Sequence, residues 1–311
     1  MLRSCLRRRG TTSQLSIRRR LDIASMSTER TGHLERTAQE PRHEHLHEVT
    51  LGRIDQVNER VRLLRLVPQS GPVSFSPGQW LDTYVPGIAK PGGFTLTSPP
   101  SAATASEPYL ELAVQESPDN PVAAWLWRPA DNILGSVLRV RVGGSFVFPP
   151  PGKTSAGIRR VVFVAGGVGI NPLMSILSSI AEGSFDGDVR ILYASKLPQG
   201  GVKDVLFLPR IAEQFKQGRL RGRLRVFATG APLDSHPQDG VGEELEKADI
   251  DIQAGRFSHD DLRAAIGREE QDSCVVYVCG PPTMTDEIVE MMTSAEGLGL
   301  QKCQVMTEKW W

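Results

Sequence analysis

The chain has 311 residues, enough for about two domains, because a single core seldom grows past roughly 250 residues. Lysine plus arginine number 36 against 36 acidic residues, and 40% of the chain is hydrophobic, an ordinary globular composition. No apolar run approaches the roughly 18 residues needed to span a bilayer. The four cysteines, Cys5, Cys274, Cys279 and Cys303, form no C-x-x-C pair, which argues against a disulfide framework, a metal site or an iron–sulfur cluster.

The zero net charge is unevenly spread. Arg3, Arg7, Arg8, Arg9, Arg18, Arg19 and Arg20 precede the first acidic residue, Asp22. An arginine-rich, serine-containing, acid-free start is the composition of a mitochondrial presequence, so the matrix is the expected location. Taking those seven arginines from the 36 basic residues leaves 29 against 36 acidic ones, a net −7. A protein of that charge is a poor nucleic-acid binder. Residues 22–44 are polar and read as a linker. His43, His45 and His47 alternate there, which suits an exposed strand end better than a metal site, since no cysteine or acid pair completes the set.

Residues 45–152 show a strand-like rhythm. Strands are predicted at Val49–Leu51, Val61–Leu66, Trp80–Val85, Phe94–Thr97, Tyr109–Val114 and Val137–Val142, separated by glycine and proline clusters. A short helix is predicted at Val122–Trp127. Short strands at this spacing predict an antiparallel barrel or sandwich. After Pro149-Pro150-Pro151-Gly152 the rhythm changes, and residues 153–311 form the second predicted domain. Strands at Val161–Ala165, Val189–Tyr193, Leu224–Ala228 and Val275–Val278 alternate with helices after Pro172, over Val205–Phe215, after Ser258 and over Thr283–Ala295. Alternating strand and helix predicts an α/β doubly wound parallel sheet. Ser258 followed three residues on by Asp261 is a variant capping box.

Two loops carry the chemistry. Gly166-Gly167-Val168-Gly169-Ile170-Asn171-Pro172 joins a strand to an amphipathic helix, where glycines admit a close ligand and helix N–H groups favour a pyrophosphate. Asn171 is the expected cap and Pro172 the first helical residue. Cys279-Gly280-Pro281-Pro282-Thr283-Met284 also follows a strand, at the edge where open parallel sheets bind ligands.

These loops, with Tyr193-Ala194-Ser195, Gly255-Arg256 and the terminal Glu308-Lys309-Trp310-Trp311, resemble the ferredoxin–NADP reductase superfamily over residues 46–311. The resemblance implies FAD on the barrel and NADH or NADPH on the α/β domain. Hydride then passes from nicotinamide to flavin, and electrons leave to a separate acceptor from a monomer. It implies flavin contacts from Phe94, Thr95, Leu96, Thr97, Ser98 and Ala124, with Trp311 over the ring. It implies dinucleotide contacts from Gly166, Gly167, Val168, Gly169, Ile170, Asn171, Pro172, Ser195, Cys279, Gly280, Pro281, Pro282 and Met284. Thr95, Cys279 and Glu308 fall on the implied hydride path, and no metal is implied.

The flavin motif departs from the superfamily pattern R-x-Y-[ST]. Gly92 stands at the arginine position and Phe94 at the tyrosine position. Ala124 stands where a hydroxyl residue is usual. Loss of the arginine's bidentate grip on the flavin pyrophosphate weakens binding by ~2 kcal/mol, roughly thirtyfold, unless another cation such as Lys90 replaces it. A different reading follows from the same departure: a catalytically silent NAD(P)-binding regulatory or assembly subunit. The side chains at the end of the second parallel strand, Ser195 and Lys196, do not decide between NADH and NADPH.

Overall fold

The computed structural model describes residues 32–230 and 250–309. The first half builds a six-stranded antiparallel sheet from β1 (His47–Asn58), β2 (Val61–Pro68), β3 (Trp80–Tyr84), β4 (Gly92–Thr95), β5 (Leu110–Gln115) and β6 (Val137–Gly143). Its order is β4-β3-β6-β1-β2-β5. An antiparallel bridge between Leu96 and Leu112 joins the two outer strands and closes the barrel. Closure removes the exposed edges that an open sheet would present. Leu51, Leu64, Leu66, Leu81, Leu96, Leu110 and Leu112 fill the interior, and none exposes any surface. A helix, Pro121–Leu126, covers one end of this core with Val122, Ala123, Trp125 and Leu126.

Residues 33–43 lie within what reads in sequence as linker, yet they form a strap docked on the barrel. Arg42 bridges Gly143, and the His43 amide donates to the Val142 carbonyl at 2.9 Å. Asp82 on β3 is fully buried and anchors the strap. It accepts from His33 at 2.8 Å, Arg42 at 3.0 Å and Arg141 at 2.7 Å. Burial alone would raise the pKa of Asp82. The hydrogen bonds of His33 and Arg141 and the charge of Arg42 outweigh burial and hold it below the usual carboxylate range. Gly93 is glycine for this strap, because a Cβ there would run into the His33 ring.

The second half is a parallel sheet of β7 (Arg160–Gly166), β8 (Asp188–Lys196), β9 (Gly222–Thr229), β10 (Ile250–Ala254), β11 (Cys274–Gly280) and β12 (Val305–Lys309). The order β10-β9-β8-β7-β11-β12 means the chain builds outward from β7 and then returns to its other side. The switch point therefore lies between β7 and β11. Helices Ile170–Ser179 (α1), Leu208–Lys216 (α2), His259–Ile266 (α3) and Pro282–Thr293 (α4) cover the sheet. Ser258 caps α3 with Asp261 in a full capping box, as its sequence predicts. The helix predicted from Val205 begins only at Leu208, because Phe207 takes a left-handed φ of 62°. Two strands escape the sequence pattern: β10 and β12 lie at the outer edges of the sheet, where continuous apolar runs are not required.

Beside the barrel's own core, one apolar cluster spans its junction with the parallel sheet. Phe146 and Phe148, which follow β6, pack on Tyr277 of β11, and the Tyr277 hydroxyl donates to the Val147 carbonyl at 2.7 Å. No helix among the described residues is long and apolar enough to cross a membrane.

Candidate functional site

The two glycine-rich loops meet at the switch point and interlock. A Cβ on Gly166 would lie 2.8 Å from both Met284 Sδ and Pro281 Cδ. A Cβ on Gly169 would lie 2.5 Å from the Cys279 carbonyl carbon, and one on Gly280 would reach 3.2 Å from Gly166 Cα. These three glycines are required by loop-to-loop contact. Gly167 is different. It has φ +56° and is exposed, and a Cβ there would meet nothing within 4 Å. It is therefore the glycine that presents open backbone to a ligand.

A cleft of about 1130 Å³ opens beside these loops. Gly166 to Gly169, Ser195, Gly280 to Pro282 and Met284 line it, as does Val168. A single turn of tight helix, Gly167–Gly169, leads into α1, whose first turn has no side-chain cap. Helix α4 starts from Pro281 and likewise has none. Pro281 and Pro282 carry no N–H and the Ile170 amide bonds the Gly167 and Val168 carbonyls, so an anion at this cleft meets the exposed Gly167 backbone and the partial positive charge of two helix starts. Lys196 and Arg256 add cationic side chains, while Glu287 is the acidic residue on the α4 side.

Asn171 is not the cap. The turn at Gly167–Gly169 moves the helix start forward, so Asn171 becomes the second residue of α1. Its Nδ2 donates instead to the Ala113 carbonyl of the barrel at 2.9 Å. Ile170 and Pro172 are buried with it and do not reach the cleft. Cys279 is also fully buried, level with Ala165 on one side and Glu308 on the other. Burial, joined by the nearby charge of Glu308, pushes its thiol well above the usual range, so it remains neutral. Trp311 lies outside the described residues.

The barrel residues divide into two groups. Phe94 is half-buried and packs against the barrel core, and Thr95 beside it is opposite Trp80. Leu96 points into the barrel core. Thr97 donates its hydroxyl to Glu111 at 2.9 Å, and Ser98 accepts from the Glu111 amide at 3.1 Å. These last three build the barrel and its junction with the parallel sheet. Ala124 is half-buried inside the short barrel helix, and Asn120 accepts from the Val122 and Ala123 amides at that helix's start. Gly92 has no room for a side chain, since a Cβ would lie 2.7 Å from the Phe94 ring and 2.9 Å from Val122. Lys90 is 3.9 Å from Glu35 of the strap.

Sequence reasoning missed one wall of the cleft altogether. Asn58, Glu59, Arg60 and Val61, at the β1–β2 hairpin tip, face the loops across it, with Gln115 beside them. Asn58 holds the hairpin by donating to the Asp204 carbonyl at 3.0 Å. The hairpin is recognisable as a turn, but its distance of over a hundred residues from the loops leaves no local signal of the contact.

Residues 163–290 match the family described as Oxidoreductase NAD-binding domain. The chain is 32% identical over 306 residues to oxidoreductase NAD-binding domain-containing protein 1 of Xenopus tropicalis, covering 94% of this chain and 88% of that protein. It is 27% identical to the propane 2-monooxygenase reductase component of Rhodococcus jostii (strain RHA1), covering 83% of this chain and 61% of that one. Its fold is similar to the flavohem-like FAD/NAD binding domain of nitric oxide dioxygenase from Vibrio cholerae O1 biovar El Tor. That match has a TM-score of 0.61 at 19% identity and covers 85% of this chain and 98% of that one. With this fold, these two loops and a likeness that covers 94% of the chain, the chain belongs to the oxidoreductase NAD-binding domain-containing protein 1 family.

Proposed function

We propose that the protein is an FAD-dependent oxidoreductase that accepts hydride from NADH or NADPH and passes electrons to a separate acceptor. The observation that carries this reading is the pair of interlocked loops at the switch point, with two uncapped helix N-termini opening onto one large cleft. A dinucleotide pyrophosphate suits that arrangement. The likeness to a monooxygenase reductase component supports a separate acceptor. We propose a monomer, located in the mitochondrial matrix; the location rests on the arginine-rich composition of residues 1–21.

The barrel fits one half of a flavin better than the other. Phe94, half-buried, offers an aromatic face that suits the ring, while Thr95 beside it is buried. The phosphate half lacks the superfamily's clamp. Gly92 carries no charge, Lys90 faces Glu35, and Asn120 already accepts from the first amides of the short helix. FAD is therefore held about 2 kcal/mol more weakly than with an arginine in place. Bound flavin would supply the hydride-accepting ring. The chain's own part is orientation and exclusion of water: Gly167 opens its backbone to the dinucleotide, and Phe146, Phe148 and Tyr277 keep the junction apolar. Cys279, held neutral, offers no thiolate that would react with a bound cofactor.

The same weak phosphate half favours a second reading, a regulatory or assembly subunit that binds NAD(P)H without turnover. Incubation with FAD followed by gel filtration, with calorimetric titration of NADH and NADPH, separates the two. Retained yellow colour together with dinucleotide binding supports the oxidoreductase. Dinucleotide binding to protein that takes up no FAD supports the silent subunit.

A further inference from the structure

Glu111 on β5 is a buried carboxylate at the junction of the two sheets, and its side chain is 3% exposed. Arg210 of α2 grips it with both arms, at 2.7 Å to one oxygen and 3.2 Å to the other. The Thr97 hydroxyl donates to it at 2.9 Å, and Arg65 lies 4.0 Å away. The backbone of Glu111 adds two bonds to the same stretch. Its amide donates to Ser98 Oγ at 3.1 Å, and its carbonyl accepts from the Thr97 amide at 2.8 Å. Ser98 in turn offers its carbonyl to Ser175 Oγ of α1 at 2.7 Å. Two residues after Glu111, the Ala113 carbonyl accepts from Asn171 of α1 at 2.9 Å. These bonds form a chain from α2 through Glu111, Thr97 and Ser98 to Ser175 of α1, the helix that follows the Gly167–Gly169 turn.

Neither Glu111 nor Arg210 lines the cleft, so neither touches a ligand there. Cohesion alone does not require them, because Phe146, Phe148 and Tyr277 already bury apolar surface across the junction. A buried ion pair is often no more stabilising than a packed apolar pair of the same volume. What the two-armed contact adds is direction, since a guanidinium fork fixes angle as well as distance. Direction matters here because α1 follows the glycine loop, and the 94–98 stretch that ends in Thr97 and Ser98 begins at Phe94, the flavin-ring contact proposed above.

We propose that Glu111 and Arg210 are a positioning pair that fixes the dinucleotide loop relative to residues 94–98 and thereby sets the geometry of hydride transfer. This rests on the proposed oxidoreductase function. Hydride transfer needs reacting atoms about 3–3.5 Å apart, and a misplacement of about 1 Å costs on the order of a hundredfold in rate. Relaxing the pair lowers the rate while leaving each cofactor's own contacts intact.

Arg210→Lys keeps the charge and loses the fork, and Glu111→Gln keeps the shape and loses the charge. Two measurements on the full chain decide the matter. In ligand-free protein, hydrogen exchange should quicken at residues 166–175 and 94–98 in both variants, although Arg210 contacts neither segment. In FAD-loaded protein, the single-turnover rate of flavin reduction by NADH or NADPH should fall about tenfold or more, with both dissociation constants within about twofold of the parent. Unchanged exchange at both segments in folded variants overturns the proposal. So does a variant that loses affinity and rate together in proportion to its melting temperature, which marks the pair as structural only. If the parent protein takes up no FAD, the oxidoreductase reading fails, and the exchange result still judges the pair.

Discussion

Gly169→Ala is the sharpest test of the interlocked loops. The added methyl would lie 2.5 Å from the Cys279 carbonyl carbon and 2.8 Å from the Gly280 nitrogen. Carbon atoms in contact normally rest about 3.5–4.0 Å apart, so one loop must retreat by roughly 1 Å. Both obstacles are backbone, and no rotamer change relieves them. Overpacking of this kind costs about 1–3 kcal/mol. We expect a cost near the top of that range and a melting temperature lower by roughly 5–10 °C. The retreat also separates the two helix N-termini that face the cleft, so NAD(P)H affinity should fall at least about tenfold, or ~1.4 kcal/mol. Differential scanning fluorimetry and calorimetric titration read the two effects. Gly167→Ala is the control for the melting temperature alone, since Gly167 itself faces the ligand. Its Cβ meets nothing, so its cost is the left-handed backbone alone, about 1–2 kcal/mol. A Gly169→Ala protein with the parent's melting temperature and affinity would refute the interlocking argument.

Two further outcomes follow from buried charge. Asp82→Asn removes the anion shared by His33, Arg42 and Arg141, and breaking a buried pair this way costs about 3–5 kcal/mol. The folded pKa of Asp82 lies below its ordinary 3.8, so its stabilisation is fully present above that pH and is lost as pH falls through the lower folded value. The stability gap between parent and variant should hold steady from neutral pH to about pH 5 and shrink in stronger acid. A gap that closes between pH 7 and 5 contradicts this assignment. Thiol labelling tests the other. Iodoacetamide at mildly alkaline pH should modify exposed Cys303 in the native protein and spare Cys279, whose thiol is held neutral, and Cys274, whose thiol burial pushes to about 12. Mass spectrometry showing early labelling of Cys279 would place that thiol in solvent.

Much of the architecture was legible because it is local. Apolar alternation marks β6, the continuous run at Val161–Ala165 marks a strand covered on both faces, and Ser258 with Asp261 marks a helix start. The glycine loops were legible as loops at strand ends. Their mutual packing was not, because Gly166 and Gly280 are far apart in sequence and meet only once β11 returns beside β7. Asn171 misled for a related reason. A residue type that favours caps also serves as a donor, and the Ala113 carbonyl that engages it belongs to the other sheet. Gly92, at the arginine position of the flavin motif, has no room for a side chain beside Phe94 and Val122, and its neighbour Gly93 is shaped by His33, sixty residues earlier. The strap itself was hidden by its polarity, since its docking is through ion pairs around Asp82 and not through an apolar face.

In the proposed function, a dinucleotide in the switch-point cleft delivers hydride to a flavin on the barrel. Anaerobic titration of FAD-loaded protein with NADH and with NADPH, followed by visible absorption, tests it most directly. Stoichiometric bleaching of the flavin by at least one of the two is the expected result. Flavin that stays oxidised while dinucleotide binds to saturation would contradict it.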